Sequence, residues 1–417
     1  MKVASLQGPL EVGVDYRRYV QASKVDRALP PFFNPMKPNN VGDWFLTKIV
    51  DRILDYDELI LVQKNASAAD WDLVNRECDV LILRGGNYIQ NNWFCTHVGL
   101  ETLERIKIPI VMFGAGLQMP PGQRPSFEPE EQRALKIIHD SCAFSAVRGP
   151  STAEALSQIG IDNVLVTGCP TLFWARRPTL DLKPAGYSHT GFTFRKTLYS
   201  IKGELSQAQF RAMDLLRRQS GDVTVFLQGE EVALQRYLQA TLWNAEFQGR
   251  MEPVGGHHLL SLRREPLDCD RLLHEVHSLF DRHRGPEMVD WLIENAFFSW
   301  DVEEMISGYS SVDLMVGCRL HGNLLALANG IPAYYLTYDE RTREVVELLK
   351  LPNSPVDMLD QEIDFAGQDW RPAQDRYVDC YGEMRHFLEA NHLRNRLPGA
   401  EDIPESQVSM YGAIGPR

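Results

Sequence analysis

Val316-Gly317-Cys318-Arg319-Leu320-His321-Gly322-Asn323, running on through Leu324-Leu325-Ala326-Leu327-Ala328-Asn329-Gly330-Ile331-Pro332, decides how this chain is read. The apolar stretch 311–316 predicts a strand and 322–329 a helix, with Arg319 and His321 at the junction. In an open α/β sheet, ligands bind beyond the carboxyl ends of the strands. The free N–H groups of a helix start there favour an anion. Arg319 adds a planar cationic fork suited to carboxylate or phosphate, and His321 a group that exchanges a proton near neutral pH. The junction therefore points to an enzyme site for a phosphorylated or carboxylated substrate. A histidine capping a turn beside a surface-paired arginine is the alternative that the two residues alone leave open.

Outward from this junction, short apolar runs alternate with helical segments. The runs at 59–62, 79–83, 108–113, 143–147 and 164–166 lack strict alternation, as strands buried on both faces do. Between them, 43–54, 68–77, 95–106, 128–141 and 150–159 read as helices, with Pro150 placed for a first turn. This order predicts a doubly wound α/β sheet. A Pro-rich polar stretch, 176–189, reads as a linker, after which the pattern restarts. Strands are expected at 191–194, 223–227, 312–316 and 333–336, and helices at 205–217, 230–246, 272–280, 301–307 and 342–349. The expected organisation is thus 1–175, a linker at 176–189, a second domain at 190–350, and an extension at 351–417 with a partly disordered tail.

Composition narrows the class. With 417 residues, 44% hydrophobic and 24% charged, the chain fits a soluble globular protein of two domains. No run is long enough to cross a bilayer and no leader-like apolar core opens the chain, so a cytoplasmic location is expected, compatible with peripheral membrane association. A net charge of −13 argues against nucleic-acid binding and requires any anion site to be built from locally gathered arginines. The seven cysteines (78, 95, 142, 169, 269, 318 and 380) include no CxxC, so neither disulfides nor a zinc site follow.

Six elements in order carry a family resemblance: Asn40-Val-Gly-Asp43, Arg84-Gly85-Gly86-Asn87, Gly114-Ala-Gly116, Val147-Arg-Gly-Pro-Ser151, Gly168-Cys-Pro-Thr171, and the run from Gly317 to Asp339. Across residues 40–350 this set resembles the polysaccharide pyruvyl transferase family. The resemblance implies two Rossmann-like doubly wound domains facing a cleft, GT-B-like in plan. It also implies transfer of a pyruvyl group from phosphoenolpyruvate to a saccharide acceptor as a cyclic ketal, in surface or exopolysaccharide biosynthesis. The family's Arg-x-His motif falls on Arg319 and His321. Two departures stand out: Arg341 replaces a usual lysine, which keeps the cation, and Gly168-Cys169-Pro170 replaces Gly-Asp-Pro, which removes an acid.

Ketal formation needs an acid for the methylene carbon of the donor, a base for the attacking hydroxyl, and cations for carboxylate and phosphate. The expected catalytic pair is His321 and Arg319, with Arg148, Arg195, Arg341 and Asn323 on the donor. Asn40, Asp43, Arg84, Gly85, Gly86, Asn87, Tyr338 and Asp339 are expected to line the rest of the substrate site. No metal or cofactor is required where arginines carry the charge. Several of these residues have structural readings: Asp43 as the N-cap of a helix from Trp44, Gly85 and Gly86 as a tight turn beyond a strand, Arg148 as an ion-pair partner of the next helix. Asp55-x-Asp57 and Asp268-x-Asp270 read as surface acids, and His257-His258 and His274-x-x-His277 lack a third ligand. Phe297-Phe298-Ser299-Trp300 reads as packing. A nucleotide-sugar glycosyltransferase and a non-catalytic subunit of a polysaccharide assembly complex remain the rival functions. The acceptor sugar, any lipid linkage and the oligomeric state are left open.

Overall fold

The structure, a computed structural model, describes residues 1–6, 18–20, 41–62, 66–91, 99–182, 188–194, 204–229, 232–246, 267–280, 286–299, 302–358, 363–365 and 367–399. Two sheets organise them. The first contains β1 (Lys2–Leu6), β2 (Arg18–Val20), β3 (Glu58–Val62), β4 (Val80–Ile89), β5 (Ile110–Leu117), β6 (Ser145–Val147) and β7 (Val164–Val166), in the spatial order β2-β3-β1-β4-β5-β6-β7. Only β2 runs antiparallel, against β3 at the edge. The second contains β8 (His189–Thr193), β9 (Asp222–Phe226), β10 (Ala296–Phe297), β11 (Leu314–Gly317), β12 (Ala333–Thr337) and β13 (Asn353–Pro355), in the order β10-β9-β8-β11-β12-β13, all parallel. Both are doubly wound, so the protein has two Rossmann-like domains facing a cleft. In the second sheet the strand order reverses between β8 and β11, the crevice where such folds bind ligands.

Helices cover the sheets: α1 (Val41–Ile53), α2 (Ala68–Glu77), α3 (Leu100–Arg105), α4 (Pro129–Asp140) and α5 (Pro150–Ser157), then α6 (Glu204–Gln219), α7 (Val232–Glu246), α8 (Cys269–Phe280), α9 (Pro286–Asn295), α10 (Val302–Ser310), α11 (Leu320–Ala328) and α12 (Glu340–Leu349). Local chemistry sets several starts. Ser67 and Asp70 form a reciprocal capping box on α2, Pro129 and Pro150 open α4 and α5, and Asp339 caps α12.

The domains share a continuous core. Phe45 of α1 meets Tyr309 of α10 edge-on with centroids 6.0 Å apart, and Tyr309 meets Phe226 of β9 at 4.9 Å. A large apolar seam of this kind holds two domains at a fixed angle. The chain then returns to the first domain through α13 (Arg371–Ala390), which lay unseen within the expected extension. Phe387 packs on Phe113 of β5, and Tyr377 and Tyr381 pack on Phe173. Beyond it, Asn391 exchanges hydrogen bonds with the backbone of Ala143 and Phe144. The expected disordered tail lies, beyond 399, outside the described residues.

Three sequence expectations are corrected here. Arg84 to Asn87 and Gly114 to Gly116 do not follow strands but lie within β4 and β5. The ladder continues through Gly86 opposite Ala115 to Ile89 opposite Leu117, with a register shift between the last two β4 positions named. Asp43 does not cap a helix from Trp44, because α1 is already formed at Val41. Phe298 is buried and Phe297 stacks edge-on against Phe226, as packing residues do; Trp300 lies outside the described residues.

Candidate active site

The switch point of the second sheet is stitched by one threonine. Thr193, the last residue of β8, accepts from Cys318 N through its carbonyl (2.9 Å) and from Arg319 N through Oγ1 (3.3 Å). Its hydroxyl donates to Asn323 Oδ1 at 2.8 Å, and Asn323 Nδ2 donates to Gly317 O at 2.9 Å. Asn323 is therefore fully buried behind the turn, with its amide engaged in holding it. Gly317 has φ +149°, and a Cβ there would stand 1.9 Å from Thr193 O. Gly317→Ala is expected to cost about 2–6 kcal/mol, the sum of backbone strain and overpacking, seen as a large fall in melting temperature.

This turn launches Arg319 and His321 from the end of β11. Arg319 anchors Nη2 on Gln228 O at 3.0 Å, and Gln228 Nε2 in turn donates to the buried Tyr309 hydroxyl at 2.7 Å. His321 is half-buried, but its Nε2 is shut off from solvent and meets no partner among the described residues. Burial first, and then the charges of Arg148, Arg341, Arg319 and Arg84, hold the imidazole well below its ordinary pKa.

Those four arginines come from both domains and are nearly sequestered: Arg84 is 3% exposed, Arg148 0%, Arg319 9% and Arg341 8%. Arg148 follows β6 and donates Nη1 to Asn87 Oδ1 at 3.1 Å, while its Nε and Nη2 are buried with no protein acceptor among the described residues. It makes no ion pair within 4 Å among them, and its charge acts on both His321 and Glu344. Arg341 lies 3.5 Å from Asp339 Oδ2 and donates to the Tyr338 hydroxyl. Asp339 does double duty, because its Oδ1 accepts from Thr342 N at 2.9 Å as the cap of α12.

Of the residues expected at the site, His321, Arg319, Arg148, Arg341 and Arg84 converge, with Asn87, Tyr338 and Asp339 as their partners. Gly85 and Gly86 lie in β4 beside Arg84. Asn40 and Arg195 lie outside the described residues, as does the side chain of Asp43. Sequence reasoning passed over Thr193, Gln228 and Tyr309, and also Glu344 and Thr152, which join the domains beside Arg148. The last pair left a faint signal: Glu340 and Glu344 are four apart on a helix, and Ser151-Thr152 follows Gly149-Pro150 in a first turn.

Buried cations are ordinarily paired, because leaving water is costly for each of them. Here four buried guanidiniums, two from each domain, act together on one imidazole. A family model for polysaccharide pyruvyl transferases matches residues 20–340, and the chain belongs to that family, whose members are transferases. No curated protein matches the chain as a sequence. Similar solved structures include a Staphylococcus aureus protein, MnaA, with UDP (10% identity, TM-score 0.40, covering 94% of this chain and 91% of that one). Two others are UDP-GlcNAc 2-epimerases. That from Methanocaldococcus jannaschii, with UDP-GlcNAc and UDP, has 10% identity, TM-score 0.38, and covers 99% and 100%. That from Neisseria meningitidis, with UDP-GlcNAc, has 10% identity, TM-score 0.36, and covers 95% of each chain. Among the described residues no helix is long and apolar enough to cross a membrane.

Proposed function

We propose that the protein transfers the pyruvyl group of phosphoenolpyruvate to two hydroxyls of a saccharide acceptor, forming a cyclic ketal. The observation that carries this reading is the convergence of Arg84, Arg148, Arg319 and Arg341 on His321. Phosphoenolpyruvate presents a carboxylate and a phosphate on one carbon, so one compact donor can face all four cations. Ketal transfer also needs a proton delivered to carbon, which an imidazole in the middle of that field can supply.

The balance is simple. One hydroxyl of the acceptor adds to C2 of the donor while the methylene carbon takes a proton and becomes a methyl. The second hydroxyl adds at the same carbon as the C2–O bond to phosphate breaks. Of the two hydroxyl protons lost, one is matched by the new methyl hydrogen and the other leaves with phosphate. His321 is the group proposed to hold the proton in transit; the arginines hold the carboxylate and the departing phosphate. The acceptor's place, beside Asn40, Asp43 and the β4 glycines, belongs to the same proposal, as does a role in surface or exopolysaccharide synthesis.

Thermal shift with matched ligands tests the donor. At 100 times its dissociation constant, phosphoenolpyruvate should stabilise the protein by about 2.7 kcal/mol. UDP-sugars and pyruvate should do much less. Stabilisation by a UDP-sugar with no response to phosphoenolpyruvate would move the function to glycosyl transfer.

A further inference from the structure

Helix α12 presents two carboxylates to the first domain. Glu340 and Glu344 lie one turn apart on one face. Glu340 accepts from Gly122 N and Ser151 Oγ, each at 3.1 Å, with Arg124 Nη1 and Arg343 Nη1 both at 3.5 Å. Its own N–H donates to Met119 O at 3.2 Å. Glu344 reaches deeper. It accepts from Thr152 N at 3.0 Å and from Thr152 Oγ1 at 2.8 and 2.9 Å, and that hydroxyl accepts from Leu117 N at 2.9 Å. A continuous relay thus runs from the end of β5, through the first turn of α5, to a helix of the other domain.

The chemistry explains why the join sits there. The opening turn of α5 has N–H groups without helical partners, and a carboxylate satisfies them with favourable charge. A side chain at position 149 would block it, since a Cβ there would meet Glu344 Oε2 at 2.6 Å. Glu344 itself is fully buried, and burial pushes its carboxyl up to about 7, against the pull of Thr152 and of the Arg148 charge. A buried carboxyl on this seam is costly, so its place calls for a return in geometry.

Arg148 immediately precedes Gly149 at one end of the relay, and Arg341 lies on the first turn of α12 at the other. We propose that Glu344 is a positioning residue: by clasping α5 it fixes the spacing between Arg148 of the first domain and the Arg319–His321 pair of the second, and so sets the grip on the donor. This rests on the reading of the arginine cluster as the phosphoenolpyruvate site. A displacement of an ångström at such a site can cost on the order of 100-fold.

Phosphoenolpyruvate binding by calorimetry and steady-state kinetics on the full chain decide it, for wild type, Glu344→Ala, Glu344→Gln and Thr152→Val. Glu344→Ala should raise the donor Kd and KM by about 10–100-fold, with kcat changed less. Glu344→Gln keeps an acceptor for Thr152 and should restore donor affinity to within about threefold of wild type. Thr152→Val, similar in volume, should lose affinity as Glu344→Ala does, and it decides the matter if the alanine variant fails to fold. A wild type that binds phosphoenolpyruvate while folded Glu344→Ala or Thr152→Val binds it equally well overturns the positioning role alone. So does a glutamine variant no better than alanine. A wild type that ignores phosphoenolpyruvate overturns the donor assignment and the positioning role with it.

Discussion

His321→Asn is expected to cut turnover by about 10²–10⁴-fold while affecting donor affinity far less. Asparagine keeps the approximate size and hydrogen bonding of the imidazole but cannot carry a proton. Single-turnover rates, donor affinity and a melting curve measured together distinguish this from a structural loss. An asparagine variant that turns over normally, or that unfolds, would make His321 a structural histidine.

The arginine field adds a pH signature. His321 is held well below its ordinary pKa by burial and by Arg148, Arg341, Arg319 and Arg84, so the free site keeps the imidazole neutral at pH 7. An unfolded histidine titrates near 6.5, roughly, and binds protons that the folded one refuses. Stability from this residue is therefore present above that value and declines as pH falls below it. The decline should be shallower in His321→Asn. A bound trianion neutralises the same field, so donor binding should take up a proton at the imidazole. Binding heats measured in buffers of different ionisation enthalpy read that uptake directly, and the asparagine variant should abolish it.

Arg319→Lys is expected to weaken the donor by about 1–3 kcal/mol, roughly 5- to 150-fold in Kd, with the fold retained. Lysine keeps the charge but loses both the planar fork and the anchor that Nη2 makes on Gln228 O. The comparison of this variant with His321→Asn is informative because the two should fail on different axes, affinity and rate. Equal donor binding by wild type and Arg319→Lys would remove Arg319 from the donor's contacts.

Much of this was readable before any coordinates, for definite reasons. Strands such as β5, whose eight residues are all buried, announce themselves as apolar runs between helical segments. The β11–α11 junction was legible because Gly317, Arg319 and His321 sit within five residues of one another. The reading stopped where structure depends on pairing rather than pattern. Glycines suggested that β4 and β5 ended early, whereas the opposite strand supplies the ladder that carries them on through Gly86 and Ala115. Asn323 was expected on the donor, but its amide is engaged with Thr193 and Gly317 behind the turn, a pairing that only the folded chain reveals. Glu344 is invisible as a site residue without knowing that α12 docks on α5. Helix α13 carried a helical stripe, Ala373, Tyr377, Cys380, Tyr381, Met384, Phe387 and Leu388, diluted by charges on its outer face.

That last helix bears on the order in which the protein can be assembled by a ribosome. The first sheet is closed at Val166, yet Phe113 and Phe173 gain the rings of Phe387, Tyr377 and Tyr381 only when residues 371–390 have been made. For the time needed to synthesise some two hundred residues, at roughly 5–20 residues per second, an aromatic face of a nearly finished domain is left open to water. The nascent chain must then hold this half-built unit apart from its neighbours until the cover arrives. Expression of residues 1–175 alone should accordingly yield aggregates.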